Sequence, residues 1–181
     1  MLLLIAGLVL WTGAHLFKRL KPEQRAAMGD KGRGPVALGI LGGLVLMVIG
    51  YRMAGGPELW GRSAAMTGIN NLLMLLSVYL FAAAGAKTEL ARKMRHPMLT
   101  AVKVWALAHL LVNGDIPSIL LFGGLLGWAV AEVILINRSE PDWTPPPPAD
   151  KAKEKKALII AVVMYVVIVG IHYALGYPTF G

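Results

Sequence analysis

Three of the four histidines, His15, His109 and His172, fall within long apolar stretches of the chain. An ionisable side chain placed in hydrocarbon is costly and usually has a function. Neutral imidazole is a common ligand of haem iron, and the core between facing helices is a natural cofactor site. We therefore predict that His109 binds a ligand, and the three histidines together are compatible with a haem or a metal ion.

Two of these histidines follow a tryptophan at the same spacing. His15 comes four residues after Trp11, and His109 comes four residues after Trp105, so on a helix each pair lies on one face. Depth nevertheless separates the two. His109 and His172 fall in the outer half of the membrane, whereas His15 falls in the inner half, roughly 10 Å away along the membrane normal. Depth therefore favours a pairing of His109 with His172.

Other polar side chains lie in or beside the same stretches and could support a site. Asn70 and Asn71 must find hydrogen-bond partners in hydrocarbon, so at least one is expected to face the bundle interior. Glu132 is expected to lie opposite Arg95 and His96 and to be neutralised there, because an unpaired carboxylate at that level would cost on the order of 2–3 kcal/mol. The supporting residues are Trp105, Lys103, Asn113, Asn70, Asn71, Arg95, His96 and Glu132.

Six apolar runs must position these side chains. The sequence is 56% hydrophobic and 15% charged, against about 25% charged residues in a soluble domain. Most runs reach or approach the ~20 residues that a bilayer requires. The sequence therefore predicts an all-α, polytopic membrane bundle of about six transmembrane helices, forming a single domain over residues 1–181. The runs cover residues 1–17, 35–50, 63–86, 98–112, 116–136 and 157–175.

The fourth and fifth runs are predicted to form a helical hairpin around which the rest is organised. Its turn is the Asn-Gly-Asp segment at residues 113–115. Asp115 is expected to cap the second helix, and Pro97 and Pro117 suit the first turns of the two arms. Lys103 lies nearer the middle of the membrane, where it either snorkels towards the headgroups or pairs with an acidic group of a ligand.

Two small-residue motifs are expected to mark close helix–helix contacts. They are Gly39-x-x-x-Gly43 in the second run and Gly123-x-x-x-Gly127 in the fifth. Small residues at this spacing let two helix backbones approach closely.

The distribution of basic residues predicts the topology. Alternate links between the runs carry fifteen lysines and arginines, against two in the other links. This positive-inside pattern places both termini on the outer, periplasmic side, and it makes anionic lipid, rather than nucleic acid, the partner of the +8 net charge. Residues 138–156 form the last link, a Pro/Lys-rich segment predicted to be a mobile inner loop. The chain has no cysteine, which excludes disulfides and thiolate chemistry.

Four short motifs carry a resemblance to a known family: RHPM at 95–98, WALAHLL at 105–111, NGD at 113–115 and LFGG at 121–124. With them, and over nearly the whole chain, the sequence resembles the NnrU family of bacterial membrane proteins. The resemblance implies a bacterial inner-membrane protein connected with denitrification and nitric oxide metabolism.

The NnrU family is similar in turn to zeta-carotene isomerase, a membrane enzyme that uses haem b. The haem-ligating histidines of that enzyme match His15 and His109 here. The isomerase also has a cysteine, proposed to exchange as an iron ligand, at the position of Ala106. That switch of ligands cannot operate in this chain.

These observations leave three functions open. The first is a haem-b-binding membrane protein with a redox or isomerase-like role on a hydrophobic small molecule, with His15 and His109 as ligands and His172 in reserve. The second is a non-catalytic assembly or maturation factor for respiratory enzymes. The third is an S-adenosylmethionine-dependent enzyme centred on Arg95 and His96, because the RHP segment also resembles isoprenylcysteine carboxyl methyltransferases. The residues assign no catalytic group.

Overall fold

The computed structural model describes residues 1–180, and this part of the chain is all-helical, with no β-strand. It contains eight α-helices and one short 3₁₀-helix at Gly29–Gly32. The α-helices are α1 (Leu2–Leu20), α2 (Pro22–Ala27), α3 (Arg33–Met53), α4 (Ala64–Ala86), α5 (Glu89–Lys93), α6 (Pro97–Val112), α7 (Ile116–Ser139) and α8 (Lys151–Ala174). The all-α part of the predicted fold class is thereby confirmed.

Local capping signals begin several of the helices. Ser63 starts α4 by accepting a hydrogen bond from the backbone of Met66, and Asp115 starts α7 by accepting one from Ser118. A side-chain oxygen at this position satisfies a backbone N–H that has no partner within the helix. The predicted cap at Asp115 is therefore confirmed. Pro97 likewise lies in the first turn of α6, where its missing N–H costs nothing.

Five helices, α1, α3, α4, α7 and α8, are long and apolar enough to cross a membrane. Helix α6 is also apolar but has only 16 residues. At 1.5 Å per residue it is about 24 Å long, shorter than the ~30 Å hydrocarbon core. The chain is therefore a multi-pass helical membrane protein in which the predicted sixth helix forms but is short.

We count α6 with these five as the six long helices of the bundle. They pack in the order α3, α1, α7, α6, α4, α8. Hairpin α6–α7 occupies the middle of this order, and the chain direction mostly alternates between neighbours. We call the end of the bundle that carries Arg19, Arg95 and Lys156 the basic end. The other end, which carries the turn between α6 and α7, is the turn end. The main core lies where α1, α3 and α7 meet and contains Leu4, Leu16, Met47, Leu125, Trp128 and Ala129.

Glycines allow α1 and α3 to approach each other closely. A Cβ added at Gly43 would lie 2.7 Å from the backbone nitrogen of Trp11, and one added at Gly39 would lie 3.2 Å from the Cβ of Ala14. The first small-residue motif therefore marks a helix–helix contact within the chain, as expected.

The second small-residue motif does not mark such a contact, and that expectation was wrong. A Cβ at Gly123 or Gly127 would meet nothing within 4 Å, whereas one at Gly124 would lie 3.0 Å from the side chain of Leu8. Successive residues on a helix are rotated by about 100°. The face of α7 that meets α1 therefore includes Gly124 but does not include Gly123.

The link between α7 and α8 is shorter than the predicted loop over residues 138–156. Helix α7 continues to Ser139, and α8 begins at Lys151. Asp150 caps α8 by accepting from the backbone of Ala152, so the lysine-rich run that follows is helical. Residues 140–150 have no regular secondary structure, and their mobility stays a prediction.

Candidate functional site

His109 lies in the last turn of α6 with its ring against two aromatic side chains. The imidazole stacks on Phe122 of α7, with 4.6 Å between ring centroids and 30° between ring planes. Trp105, one turn earlier on α6, is 5.1 Å from each of these rings. Asn113 donates from Nδ2 to the carbonyl of His109 at 2.8 Å and ends the helix. The imidazole is thus half-buried, with its ring held between Trp105 and Phe122.

All three histidines within the spans share one hydrogen-bond arrangement. Nδ1 faces the carbonyl four residues earlier, at 3.0 Å in His15, 3.0 Å in His109 and 2.8 Å in His172. A nitrogen that faces a carbonyl oxygen must carry the proton, so the Nε2 atom of each ring keeps its lone pair. A carbonyl bound at Nδ1 is also the usual second partner of an imidazole that ligates a metal through Nε2.

His172 approaches the His109 region from the far side of α4. It lies in the last turn of α8, at the turn end of the bundle, as His109 does in the last turn of α6. The hydroxyl of Ser77 on α4 donates to the carbonyl of Ala101 on α6 at 2.8 Å. Seven residues from this bond towards the turn end are Asn70 on α4 and Ala108 on α6, so Asn70 lies at about the level of His109.

The asparagine pair lies at this level, next to the C-terminal segment. Asn70 is buried and donates from Nδ2 to Oδ1 of Asn71 at 3.1 Å, while Asn71 donates to the carbonyl of Thr179 at 2.9 Å. The expectation that at least one asparagine faces the interior is confirmed. Within residues 1–180, the buried Oδ1 of Asn70 and the buried Oγ1 of Thr179 have no hydrogen-bond partner.

His15 lies in a different neighbourhood, between α1 and α7 and towards the basic end. Its ring is 4.3 Å from Trp11 and 4.7 Å from Trp128, centroid to centroid. The two indoles meet edge to face at 5.5 Å. Glu132, one turn beyond Trp128 on α7, interacts electrostatically with His15 and with Arg19.

This second neighbourhood also holds polar atoms without partners. The Nε1 atoms of Trp11 and Trp128 and the Oε2 atom of Glu132 are buried and make no hydrogen bond within residues 1–180. A buried donor or acceptor without a partner costs about 1–3 kcal/mol. The structure thus gathers two separate polar groups in the bundle, one around His109 and one around His15.

Glu132 does not lie opposite Arg95 and His96, so that prediction was wrong. His96 instead pairs through Nε2 with Oδ1 of Asn137 at 2.8 Å. The prediction centred the hairpin on Gly114, but the His96–Asn137 bond places Glu132 at the level of Ala101, and the prediction also ignored rotation. From Phe122, which faces α6, Glu132 is rotated about 80° in one direction and Asn137 about 60° in the other, so Glu132 faces α1.

The other predicted supporting residues are placed as follows. Arg95 donates to the backbone carbonyls of Glu140 and Pro141, so it fastens the start of α6 to the end of α7. Lys103 is half-buried and makes no ion pair within residues 1–180. Neither side chain contributes to the group around His109.

Two ion pairs shift the pKa values of carboxyl groups at the basic end. Arg19 donates to Glu140 at 2.5 Å, and this hydrogen bond and charge hold the pKa of Glu140 below its ordinary value. Arg92 donates to Glu89 at 2.7 Å, and the pKa of Glu89 is lowered for the same reason. The Arg19–Glu140 pair joins the end of α1 to the residue after α7, whereas the Arg92–Glu89 pair lies within α5.

Two residues that shape these groups were missed in the sequence. Phe122 and Trp128 stand in a run of α7 that composition identifies only as apolar. Nothing in their spacing relative to His109 or His15 indicates contact, because those histidines belong to other helices. The one sequence signal for Trp128 is that it is a tryptophan within an apolar run, as Trp11 and Trp105 are.

The residues around the histidines suit a ligand that brings its own equatorial donors. Within residues 1–180, no three side chains of His, Cys, Asp or Glu converge in a way that could hold a bare metal ion. A haem needs only one or two axial ligands from the protein, and an imidazole with a free Nε2 atom and aromatic neighbours supplies one. The residues present therefore fit a haem through His109.

Comparison with known proteins gives one match. The model of the family described as NnrU protein matches residues 3–179, which is nearly the whole chain. No curated protein and no solved structure matches the sequence.

Proposed function

The chain belongs to the NnrU family, and from this premise we propose that it is a haem-b-binding protein of the bacterial inner membrane with His109 as an iron ligand. All six long helices cross the membrane in this proposal, and both termini face the periplasm. The charge distribution supports this topology, because the basic residues collect at one end of the bundle.

One observation carries the haem proposal: the Nδ1 atom of His109 is engaged by a backbone carbonyl, which leaves Nε2 as the atom that would bind iron. The Nδ1 proton of His109 is directed to the Trp105 carbonyl at 3.0 Å, and its ring is fixed against Phe122. Burial of a polar ring in hydrocarbon is costly, and iron ligation would offset that cost.

The second axial ligand has two candidates. The resemblance to zeta-carotene isomerase proposes His15. We favour His172, because it lies in the last turn of α8, at the same end of the bundle as His109, whereas His15 is enclosed by Trp11 and Trp128. We therefore propose His109 with His172 as the pair.

Haem b supplies one-electron redox chemistry, and coordination by two imidazoles favours electron transfer unless one ligand is released. The role of this chain is to bind and orient the group and to exclude water around it. A redox step linked to denitrification or nitric oxide metabolism fits two retained ligands. An isomerase-like step on a carotenoid would require His172 or His15 to leave the iron.

The test is the visible spectrum of the protein purified after expression with ample haem. We expect a Soret band with sharp bands in the reduced form, and their loss in His109→Ala. The control is His96→Ala, because His96 pairs with Asn137 outside both groups. If His109→Ala is poorly folded by circular dichroism, His109→Met keeps a weaker ligand and should shift the bands instead.

Two results would overturn the proposal. The first is a wild-type protein that folds in the presence of haem and shows no Soret band, which would favour a non-catalytic assembly role. The second is an unchanged spectrum in a folded His109→Ala variant.

A further inference from the structure

A groove runs along one side of the contact between α4 and α8. It has a volume of about 440 Å³ and is lined by Val78, Ala82 and Gly85 from α4 and by Lys156, Ile160 and Met164 from α8. Helix α8 is the last in the row, so this side of the contact faces the bilayer. No histidine side chain lines the groove, although Ile168 at its far end accepts a hydrogen bond from His172.

The packing of the two helices explains why the groove exists. Ala157 and Ala161 are almost fully buried against Val78 and Ala82, so α4 and α8 touch through small side chains along one line. Beside that line, a Cβ added at Gly85 would meet nothing within 4 Å. A small residue at an open position widens the space between the helices instead of closing it.

The length of the groove matches one leaflet. Its α8 side extends from Lys156 to Ile168, twelve residues that rise about 18 Å. Half of a ~30 Å hydrocarbon core is about 15 Å. An extended acyl chain anchored at the basic end would therefore lie along the groove for the depth of its own leaflet.

The one charged side chain of the lining has no acidic partner. Lys156 stands at the basic end of the groove and makes no ion pair within residues 1–180. The nearby carboxylates are engaged elsewhere: Glu154 accepts from the backbone of Glu89 at 2.6 Å, and Glu89 pairs with Arg92. Lys87, which follows the last groove residue of α4, makes no ion pair in that part of the chain either.

From this charge complementarity and length we propose that the groove binds one acyl chain of an anionic phospholipid whose phosphate group pairs with Lys156. A basic residue at the end of an apolar groove between membrane helices is the arrangement that recognises such headgroups. The negatively charged leaflet supplies the lipid on the side where the basic end is proposed to lie.

The experiment compares lipid retention in purified variants by native mass spectrometry. The full-length protein in detergent is mixed with phosphatidylglycerol or with phosphatidylcholine of the same acyl chains. We expect wild type to retain one phosphatidylglycerol in preference to phosphatidylcholine. Lys156→Gln should bind phosphatidylglycerol about fivefold more weakly, and Lys156→Arg should restore binding. Lys155→Gln, an exposed lysine one position away that does not line the groove, is the matched control.

A second variant tests the groove itself. Gly85→Leu should fill it without a clash at Cβ and should abolish retention of either lipid. Equal retention of the two lipids by wild type, or full retention by a folded Gly85→Leu variant, would overturn the proposal. A change of oligomeric state in Gly85→Leu without a change in bound lipid would show that a second copy of the chain occupies the groove, which also overturns it.

Discussion

Phe122 and Trp128 lie six residues apart on α7 and contact different histidines. Phe122 stacks on His109 at 4.6 Å, and Trp128 meets His15 at 4.7 Å. Six residues correspond to about 9 Å along the helix. Helix α7 therefore keeps the two histidines at different depths and on different faces. A ligand shared by His109 and His15 would have to span both separations.

The cap of α7 should contribute more to stability than the cap of α8. Asp115 accepts from the backbone of Ser118 at 2.9 Å and from its hydroxyl at 2.7 Å, and Ser118 is fully buried. We expect Asp115→Ala to lower the free energy of unfolding by about 1–3 kcal/mol, measured by denaturation in detergent. Asp150→Ala removes only an exposed cap and is the control. Equal losses in the two variants would contradict this assignment.

Replacement of Gly43 should separate α1 from α3. A new Cβ would lie 2.7 Å from the backbone nitrogen of Trp11, and backbone atoms cannot move aside as a flexible side chain would. We expect Gly43→Ala to cost about 1–3 kcal/mol in unfolding free energy. Gly127→Ala meets open space and should be neutral or stabilising by up to about 1 kcal/mol. The same loss in both variants would argue against close packing of α1 and α3.

The existence of the helices and the cap at Asp115 were accessible from the sequence because they depend on local signals. Uncharged runs gave all six long helices, and the Asp115 cap followed from residue type and position alone. The lengths of α7 and α8 were underestimated, since charged residues at a membrane boundary continue a helix without adding hydropathy. Lys151 shows this, because it begins α8 within what composition indicated was a loop.

The surroundings of the histidines were less accessible because they depend on which faces meet. The direction of Glu132 requires the rotation of α7 relative to α1, and no local signal encodes that rotation. The enclosure of His15 by Trp11 and Trp128 likewise requires the pairing of α1 with α7. The inward direction of at least one asparagine was predicted correctly, and the residue is Asn70, since an amide in hydrocarbon must turn inward whatever its neighbours are.

The Glu140–Arg19 pair predicts a dependence of stability on pH. The folded-state pKa of Glu140 lies below the ordinary value of 4.5 because Arg19 stabilises the carboxylate. The stabilisation is therefore fully present above the unfolded-state pKa and is lost as the pH falls through the folded-state pKa. The difference in unfolding temperature between wild type and Glu140→Gln should be constant above roughly pH 5 and should shrink below that pH. Glu23→Gln, which removes a carboxylate outside any ion pair in residues 1–180, should show no such difference.

The second haem ligand can be identified by comparing His172→Ala with His15→Ala in the haem-loaded protein. We expect His172→Ala to remove one axial ligand, so that the low-spin electron paramagnetic resonance signal is replaced by a high-spin one. His15→Ala should leave that signal unchanged, because the ring of His15 is packed between Trp11 and Trp128 and lies about 9 Å away along α7. The opposite result would establish the pairing of His15 with His109 that the isomerase resemblance implies. Trp128 would then have to move from its position in this structure, and Trp128→Phe should in that case alter the spectrum, whereas with His172 as the ligand it should not.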